Sequence, residues 1–209
     1  IDTSNIVFVH LDTLASVNAV ERMNTKLGAV DSNWVKYVWV DQDFSQLQQL
    51  QSYLKPDTHN VLVSVDQNAA FLSDFIRKQK KRGDSITLVI ATGRVFDIPT
   101  LENRYLNNLN FVGVKTEFLN TADSSTQGFI QKFRMKTDTE PSRFAYAGYD
   151  VGLYFTQLLA DYGTIPEVAN WPAWRGLNKG FNFEQLESEG PRNTFYVKAR
   201  IVDYQMHIR

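Results

Sequence analysis

The sequence predicts an α/β fold, in which a parallel five-stranded sheet with flanking helices precedes a C-terminal helix pair and a β-hairpin. Across residues 1–119, short runs rich in β-branched residues alternate with segments whose apolar residues recur at helical spacing. The runs are apolar without interruption, which is typical of parallel strands covered by helices on both faces. Because this alternation stops after residue 119, we expect two parts, 1–119 and 120–209.

The elements of the first part follow from where its apolar runs begin and end. Helical segments start near Leu14, Asp43, Ala69 and Pro99, and aspartate is a residue type that caps helices. The predicted strands are residues 5–11, 35–40, 60–65, 85–92 and 111–119.

The second part begins with a helix pair. Residues 128–138 predict a short helix, Pro141 interrupts it, and residues 143–163 predict a longer one. Apolar and polar residues alternate in 194–209 on either side of Asp203, which predicts the closing β-hairpin.

The helix predicted at 143–163 contains Gly148, Tyr149 and Asp150, which raises the question of a catalytic Tyr–Asp pair. We favour a packing role, with Asp150 as the cap of its own helix and with Tyr149 and Tyr154 as core residues whose hydroxyls are hydrogen-bonded. The helix is apolar nearly all round. Either it folds onto the sheet, or it leaves an apolar surface that a second copy of the chain covers, and we expect the homodimer.

A tryptophan-rich stretch, NWPAWRG, spans residues 170–176. Tryptophan and arginine dominate the binding energy of many interfaces, so the stretch could be a contact surface. The alternative is a loop that Trp171 and Trp174 pin over the core, and the sequence favours this second interpretation.

Composition excludes several function classes. The chain of 209 residues has a net charge of −1, and its Lys and Arg residues are spread along it, so no nucleic-acid footprint is expected. The absence of cysteine excludes disulfides, thiolate metal sites and cysteine nucleophiles. No apolar run is long enough to span a membrane. The chain starts without Met and shows no signal peptide, so we expect it to be part of a longer protein.

Cofactor motifs are also missing. The sequence has no GxGxxG, no GxxxxGK[ST] and no GxSxG element, so we expect no cofactor. His10, His59 and His207 do not have metal-ligand spacing.

Three carboxylates deserve a separate hypothesis. Asp12, Asp43 and Asp66 each follow a predicted strand, and acids that meet at one sheet edge could bind Mg²⁺. Aspartate is also favoured there as a helix cap or as a hydrogen-bonding group for a ligand. We expect one of these two roles and not metal binding.

Several motifs occur in a recognisable order: FVGV at 111–114, FIQKFRMKTDTEP at 129–141, YAGYDVGLYF at 146–155, GLNKGFNFEQL at 176–186, and then the hairpin. This order resembles the type I periplasmic binding proteins of the leucine/isoleucine/valine-binding and receptor ligand-binding kind. It is similar in particular to exported Bacteroidetes proteins in which peptidoglycan-binding LysM repeats precede such a domain. The resemblance covers nearly the whole chain and corresponds to the later part of the family's fold, starting at its second lobe.

The resemblance implies a ligand-binding edge formed by the loops after the first, third and fourth strands. The implied ligand-binding residues are Asp12, Thr13, Asp66, Gln67, Asn68, Thr92 and Arg94. In amino-acid-binding members an acidic residue after the fourth strand pairs with the ligand's amine. This chain has Arg94 there, and an arginine suits a carboxylate or a phosphate.

The function implied is non-enzymatic: a cell-envelope or periplasmic domain that binds a small polar ligand, a partner protein or a cell-wall component. The competing hypothesis is a Mg²⁺-dependent enzyme, with Asp12, Asp43 and Asp66 around the metal and Arg94 as an anion clamp.

Overall fold

The structure is a computed structural model, and it describes residues 5–27, 35–82, 87–186 and 190–208. The chain forms two compact units, one of residues 1–115 with 198–209 and the other of residues 116–197. We call them the sheet unit and the helical unit. The division into domains at residue 119 stays a prediction.

The elements are as follows. The strands are β1 (Asn5–Leu11), β2 (Val35–Val40), β3 (Asn60–Ser64), β4 (Thr87–Thr92), β5 (Phe111–Lys115), β6 (Trp174–Arg175), β7 (Gly180–Phe181), β8 (Phe183–Leu186), β9 (Gly190–Asn193), β10 (Val197–Val202) and β11 (Gln205–Ile208). The α-helices are α1 (Leu14–Leu27), α2 (Ala69–Arg82), α3 (Asn103–Asn107), α4 (Ser124–Thr137) and α5 (Arg143–Tyr162).

The predicted parallel sheet is confirmed, but its fifth strand ends at Lys115 and not at residue 119. Residues 85–86 of the fourth predicted strand lie outside the described residues. β1 runs parallel to both β2 and β3, and the pairs β3–β4 and β4–β5 are parallel as well. The sheet has seven strands in the order β11-β10-β5-β4-β3-β1-β2, because the antiparallel hairpin β10–β11 extends it beside β5. An added hairpin covers the open edge that β5 would otherwise present, and exposed strand edges are prone to unwanted pairing.

One face of the sheet carries the main core. Phe71 and Phe75 of α2 pack there with strand residues such as Leu62 and Val89, all fully or almost fully buried. On β3 and β4 burial alternates strictly between buried and half-buried residues. The other face of these two strands is therefore covered less completely than their continuous apolar character predicts.

Residues 43–54 differ from the predicted α-helix. A 3₁₀-helix spans Ser45–Tyr53, and Phe44 precedes it with a positive φ of 60°. Leu47 and Leu50 are its buried residues, and their spacing of three matches the three residues per turn of a 3₁₀-helix. Asp43 still accepts a hydrogen bond from the Ser45 N–H at 2.9 Å, as a capping side chain would.

The predicted helix pair of the helical unit is confirmed. The Ser142 hydroxyl caps α5 by accepting the Ala145 N–H at 3.3 Å, and Gly163 ends the helix with φ 71°. The buried stripe of α5 is Tyr146, Asp150, Tyr154 and Leu158. Tyr154 is therefore a core residue as predicted, but the same prediction for Tyr149 is wrong, because Tyr149 is 43% exposed on the other side of the helix, as is Leu159 at 49%. No helix in the described part of the chain is long and apolar enough to cross a membrane.

The prediction that Asp150 caps its own helix is wrong. The side chain is fully buried, and it accepts the backbone N–H groups of Leu177, Asn178 and Lys179 at 2.9, 2.7 and 2.8 Å. Asp150 lies well inside α5, where the helix's own N–H groups already have partners, so its carboxylate anchors the turn between β6 and β7 instead.

The tryptophan-rich stretch is a loop packed over the core, which is the interpretation that the sequence favours. Trp171 and Trp174 pack against a buried cluster that contains Tyr154 and Phe181. The Tyr154 hydroxyl donates to the Pro172 carbonyl at 2.9 Å, and the Trp171 indole donates to the Pro166 carbonyl at 2.8 Å. Burial raises the pKa of Tyr154.

We predict that Gly113→Ala destabilises the protein. A Cβ at this position of β5 would overlap the Phe96 ring, which packs edge-on against Phe111 in the core. Overpacking of this kind costs about 1–3 kcal/mol, measurable as the free energy of unfolding in urea.

The matched control is Gly128→Ala in α4, where an added Cβ meets nothing within 4 Å. Because alanine is the better helix former, this variant should gain up to about 1 kcal/mol. Equal stability of the two variants would contradict the packing described around Gly113.

Candidate functional site

Three of the loops singled out by the sequence follow neighbouring strands. β4, β3 and β1 are adjacent in the sheet and parallel, so their carboxyl ends lie at one edge. Neighbouring strands lie about 4.8 Å apart, which brings the segments 11–13, 65–68 and 92–94 side by side. Ligands of open parallel sheets bind at this kind of edge. We call it the carboxyl edge.

Asp66 is the organising residue of the carboxyl edge. The residue is 6% exposed. Its carboxylate accepts the Leu11 N–H at 3.2 Å and the Ser16 hydroxyl at 2.6 Å. Its backbone carbonyl accepts the Thr92 hydroxyl at 2.9 Å. Asp66 therefore ties the ends of β1 and β4 and the first turn of α1 to the end of β3.

Thr13 and Asn68 act as helix caps. The Thr13 hydroxyl accepts the Ser16 N–H at 3.3 Å at the start of α1, and the Asn68 side chain accepts the Phe71 N–H at 3.0 Å at the start of α2. Their hydrogen bonds are directed into the protein, as are those of Thr92 and Asp66. Through these hydrogen bonds, the four predicted site residues stabilise the conformation of the carboxyl edge.

The exposed predicted site residues are Asp12, Gln67, Asn68 and Arg94, and Asn68 is already used as the cap of α2. Asp12 follows β1, Gln67 follows β3, and Arg94 lies in a 3₁₀-helix that follows β4, Gly93–Asp97. Within the described ranges, no acidic side chain pairs with Arg94. The edge thus presents an acid, an amide and an uncompensated guanidinium beside one another in strand order.

Two of the three carboxylates in the metal hypothesis accept hydrogen bonds from the protein itself. Both oxygens of Asp66 accept hydrogen bonds, and the Ser45 N–H holds the pKa of Asp43 below its ordinary value. Among the residues that the structure describes, no group of three His, Cys, Asp or Glu side chains could hold a metal ion.

His10 lies beside this network and was not singled out by the sequence. It is fully buried, its Nδ1 is 3.7 Å from a carboxylate oxygen of Asp66, and its ring packs between Phe8 and Trp39. Neither ring nitrogen has a hydrogen-bond partner among the described residues. A histidine inside an uninterrupted apolar strand is the signal that could have pointed to it.

We predict that Asp66→Asn lowers the free energy of unfolding by about 1–3 kcal/mol, because an amide replaces a carboxylate oxygen that accepts buried donors. Asp12→Asn, at an exposed position two residues before the first turn of α1, is the control and should stay within about 0.5 kcal/mol of the parent. Urea unfolding measures both. If the two variants are equally stable, Asp66 does not organise the edge.

Comparison with known proteins identifies the fold. No protein-family model matches the sequence, and no curated protein sequence matches it. Among solved structures, the chain is similar to a branched-chain amino acid ABC transporter periplasmic ligand-binding protein from Burkholderia xenovorans, at 14% identity and a TM-score of 0.61, over 98% of this chain and 58% of that one.

Two further structures are similar. A leucine binding protein from Thermotoga maritima has 16% identity and a TM-score of 0.53, over 98% of this chain and 59% of that one. LpoA from Haemophilus influenzae has 10% identity and a TM-score of 0.59, over 98% of this chain and 35% of that one. The chain thus spans less than two thirds of the length of these proteins, and its fold is that of the type I periplasmic binding proteins.

Proposed function

We propose that this chain is a non-enzymatic, exported ligand-binding domain of the periplasmic-binding-protein type, acting in the periplasm or cell envelope. Its site is the carboxyl edge, where Asp12, Gln67 and Arg94 contact a small polar ligand. Thr13, Asp66, Asn68 and Thr92 hold these three in place.

The observation that carries the proposal is the Asp66 network. A binding site gains affinity when its groups are held in position before the ligand arrives. Asp66 fixes the ends of neighbouring strands through hydrogen bonds to Leu11, Ser16 and Thr92, and none of these bonds uses the exposed groups. A rigid edge that leaves an acid, an amide and a guanidinium free is suited to binding.

Arg94 sets the ligand chemistry. Its guanidinium presents a planar fork of donors, which matches the two oxygens of a carboxylate. Asp12 lies at the same edge, where it would meet a donor group of the ligand. We choose succinate as a probe for the carboxylate.

The similar structures support the class of function. They include a periplasmic ligand-binding protein and a leucine binding protein, which agrees with a small-ligand site and with export. A cell-wall component or a partner protein is the other ligand class that we propose, on the resemblance to LysM-associated proteins.

The competing enzyme hypothesis has less support. It needs Asp66 and Asp43 as metal ligands, and the described structure uses both as hydrogen-bond acceptors. Mg²⁺ is included in the ligand experiment because it separates the two hypotheses.

We further propose that two copies of the chain associate through the solvent side of α5. Small residues recur there at spacings of three and four: Ala145, Gly148, Gly152, Thr156 and Ala160. All except Ala145 are exposed. A Cβ added at Gly148 or Gly152 would meet nothing within 4 Å. The stripe carries no charge, so an identical copy can approach it without like-charge repulsion, and apolar neighbours such as Leu159 add area.

We predict that succinate at ten times its dissociation constant raises the melting temperature by about 3 °C or more, because it binds only the folded protein. Arg94→Gln should abolish this shift. Arg104→Gln is the matched control, since Arg104 is an exposed arginine of the same unit that pairs with Glu102, and it should keep the shift.

An Arg94→Gln variant that responds to succinate like the parent would contradict the proposed site. A comparable shift with MgCl₂ alone, lost in Asp12→Asn, would favour the enzyme hypothesis instead.

We predict that Gly152→Glu makes the chain monomeric. The new side chain enters open space and improves helix propensity, so folding is retained while the approach of a second helix is blocked. Sedimentation velocity at micromolar concentration measures the change. Gly128→Glu is the control and should still associate, since an added Cβ at this glycine of α4 also meets nothing within 4 Å. A parent chain that sediments as a monomer would show that the α5 surface does not mediate self-association.

A further inference from the structure

The helical unit contains a cavity that none of the carboxyl-edge residues lines. Its volume is about 510 Å³, within the range of small-molecule sites. It is lined by the start of α4, by the solvent-facing residues Tyr149 and Leu153 of α5, and by the β6–β7 hairpin. We propose that this cavity binds a small monocarboxylate with a flat apolar body, such as an aromatic acid.

The apolar part of the ligand has a matching surface. Tyr149 and Leu153 are one turn apart on α5 and line the cavity with 43% and 41% of their surfaces exposed. Trp174 of β6 lines it as well, and its ring packs against Tyr154 and Phe181. Aromatic and aliphatic side chains in this arrangement accept a planar ring by stacking and by apolar contact.

The hairpin that carries Trp174 is rigid. The Gly176 N–H donates to the Lys179 carbonyl at 2.8 Å and closes the turn, and the next three N–H groups all donate to buried Asp150. A Cβ at Gly176 would overlap Asp150 and Trp174, so glycine allows the hairpin to approach α5 this closely. The turn is therefore held in place without a ligand.

Arg175 lies directly before this turn and supplies the positive charge. The Phe118 N–H donates to the Asn178 carbonyl at 2.7 Å, and Lys179 bonds Glu117 at 2.6 Å, which docks residues 117–118 against the hairpin. The Arg175 guanidinium carbon then lies 4.4 Å from the centroid of the Phe118 ring. A guanidinium lying over a ring keeps its in-plane N–H groups free for an acceptor at its edge.

The charges around the cavity select a monoanion. In the part of the chain that the structure describes, Arg175 has no acidic partner, and it is the only cationic residue that lines the cavity. Two carboxylates also line it, but Asp150 accepts the turn N–H groups and Asp123 accepts the Ser125 and Thr126 N–H groups at the start of α4. One free guanidinium beside two engaged acids favours a single carboxylate over a phosphate dianion.

The experiment titrates the intact chain with sodium benzoate, followed by Trp fluorescence and by backbone amide shifts in NMR spectra. Benzamide is the neutral analogue of the same shape, and inorganic phosphate is the anion without an apolar body. We expect benzoate to bind with a dissociation constant of about 1 mM, and both analogues to bind about tenfold more weakly or not at all.

Three variants locate the binding. Arg175→Gln should weaken benzoate binding about tenfold or more, and Arg175→Lys should weaken it less, because it keeps the charge and loses the fork. Arg143→Gln is the matched control, since Arg143 lies over the Phe144 ring at 4.7 Å but does not line the cavity. Arg143→Gln should bind benzoate like the parent, and Arg94→Gln reports whether benzoate binds at the carboxyl edge instead.

Each alternative result is decisive. Binding that survives Arg175→Gln, or a parent chain that does not bind benzoate, overturns the proposal. Binding lost in Arg94→Gln places benzoate at the carboxyl edge and also overturns it. A negative result with benzoate does not contradict the proposed function, because succinate tests the carboxyl edge separately.

Discussion

The buried carboxylate of Asp66 is the interaction on which the candidate site depends. Parallel pairing brings the ends of β1, β3 and β4 to one edge, but pairing alone leaves the segments beyond the strands free to move. Asp66 links those segments through hydrogen bonds to Leu11, Ser16 and Thr92. Burying a carboxylate is costly unless its oxygens find donors, so the same bonds that stabilise the charge also fix the geometry of the edge.

The helical unit also contains a buried carboxylate that accepts hydrogen bonds from the backbone. Asp150 is fully buried inside α5 and accepts three consecutive backbone N–H groups of the β6–β7 turn. Charge-assisted bonds to backbone donors are among the stronger hydrogen bonds in proteins. In each unit a buried acid holds backbone in place, and an exposed arginine nearby, Arg94 or Arg175, is left for other contacts.

Most of the fold could be predicted from the sequence, because apolar residues recur at different spacings in its strands and its helices. The four parallel pairings, the hairpin around Asp203 and the helix at 143–163 all follow patterns that short segments carry by themselves. The 3₁₀ geometry of Ser45–Tyr53 was not predicted, because Leu47, Leu50 and Leu54 also fit an α-helical face.

The roles of individual polar residues were harder to predict from the sequence. Asp66 and Asn68 are neighbours in sequence, and both residue types cap helices or bind ligands, yet one is a buried crosslink and the other a cap. Asp150 finds its donors 27 to 29 residues away, in a turn whose approach depends on Gly176. Contacts of this range depend on tertiary packing, which local patterns do not contain.

We propose that a preorganised carboxyl edge in the sheet unit binds a small carboxylate ligand. The most direct measurement is a map of backbone amide chemical shifts during a succinate titration of the parent chain. We expect saturable shifts concentrated at Asp12, Gln67 and Arg94 and at their immediate neighbours. Shifts confined to other parts of the chain, or none at saturating succinate, would contradict it.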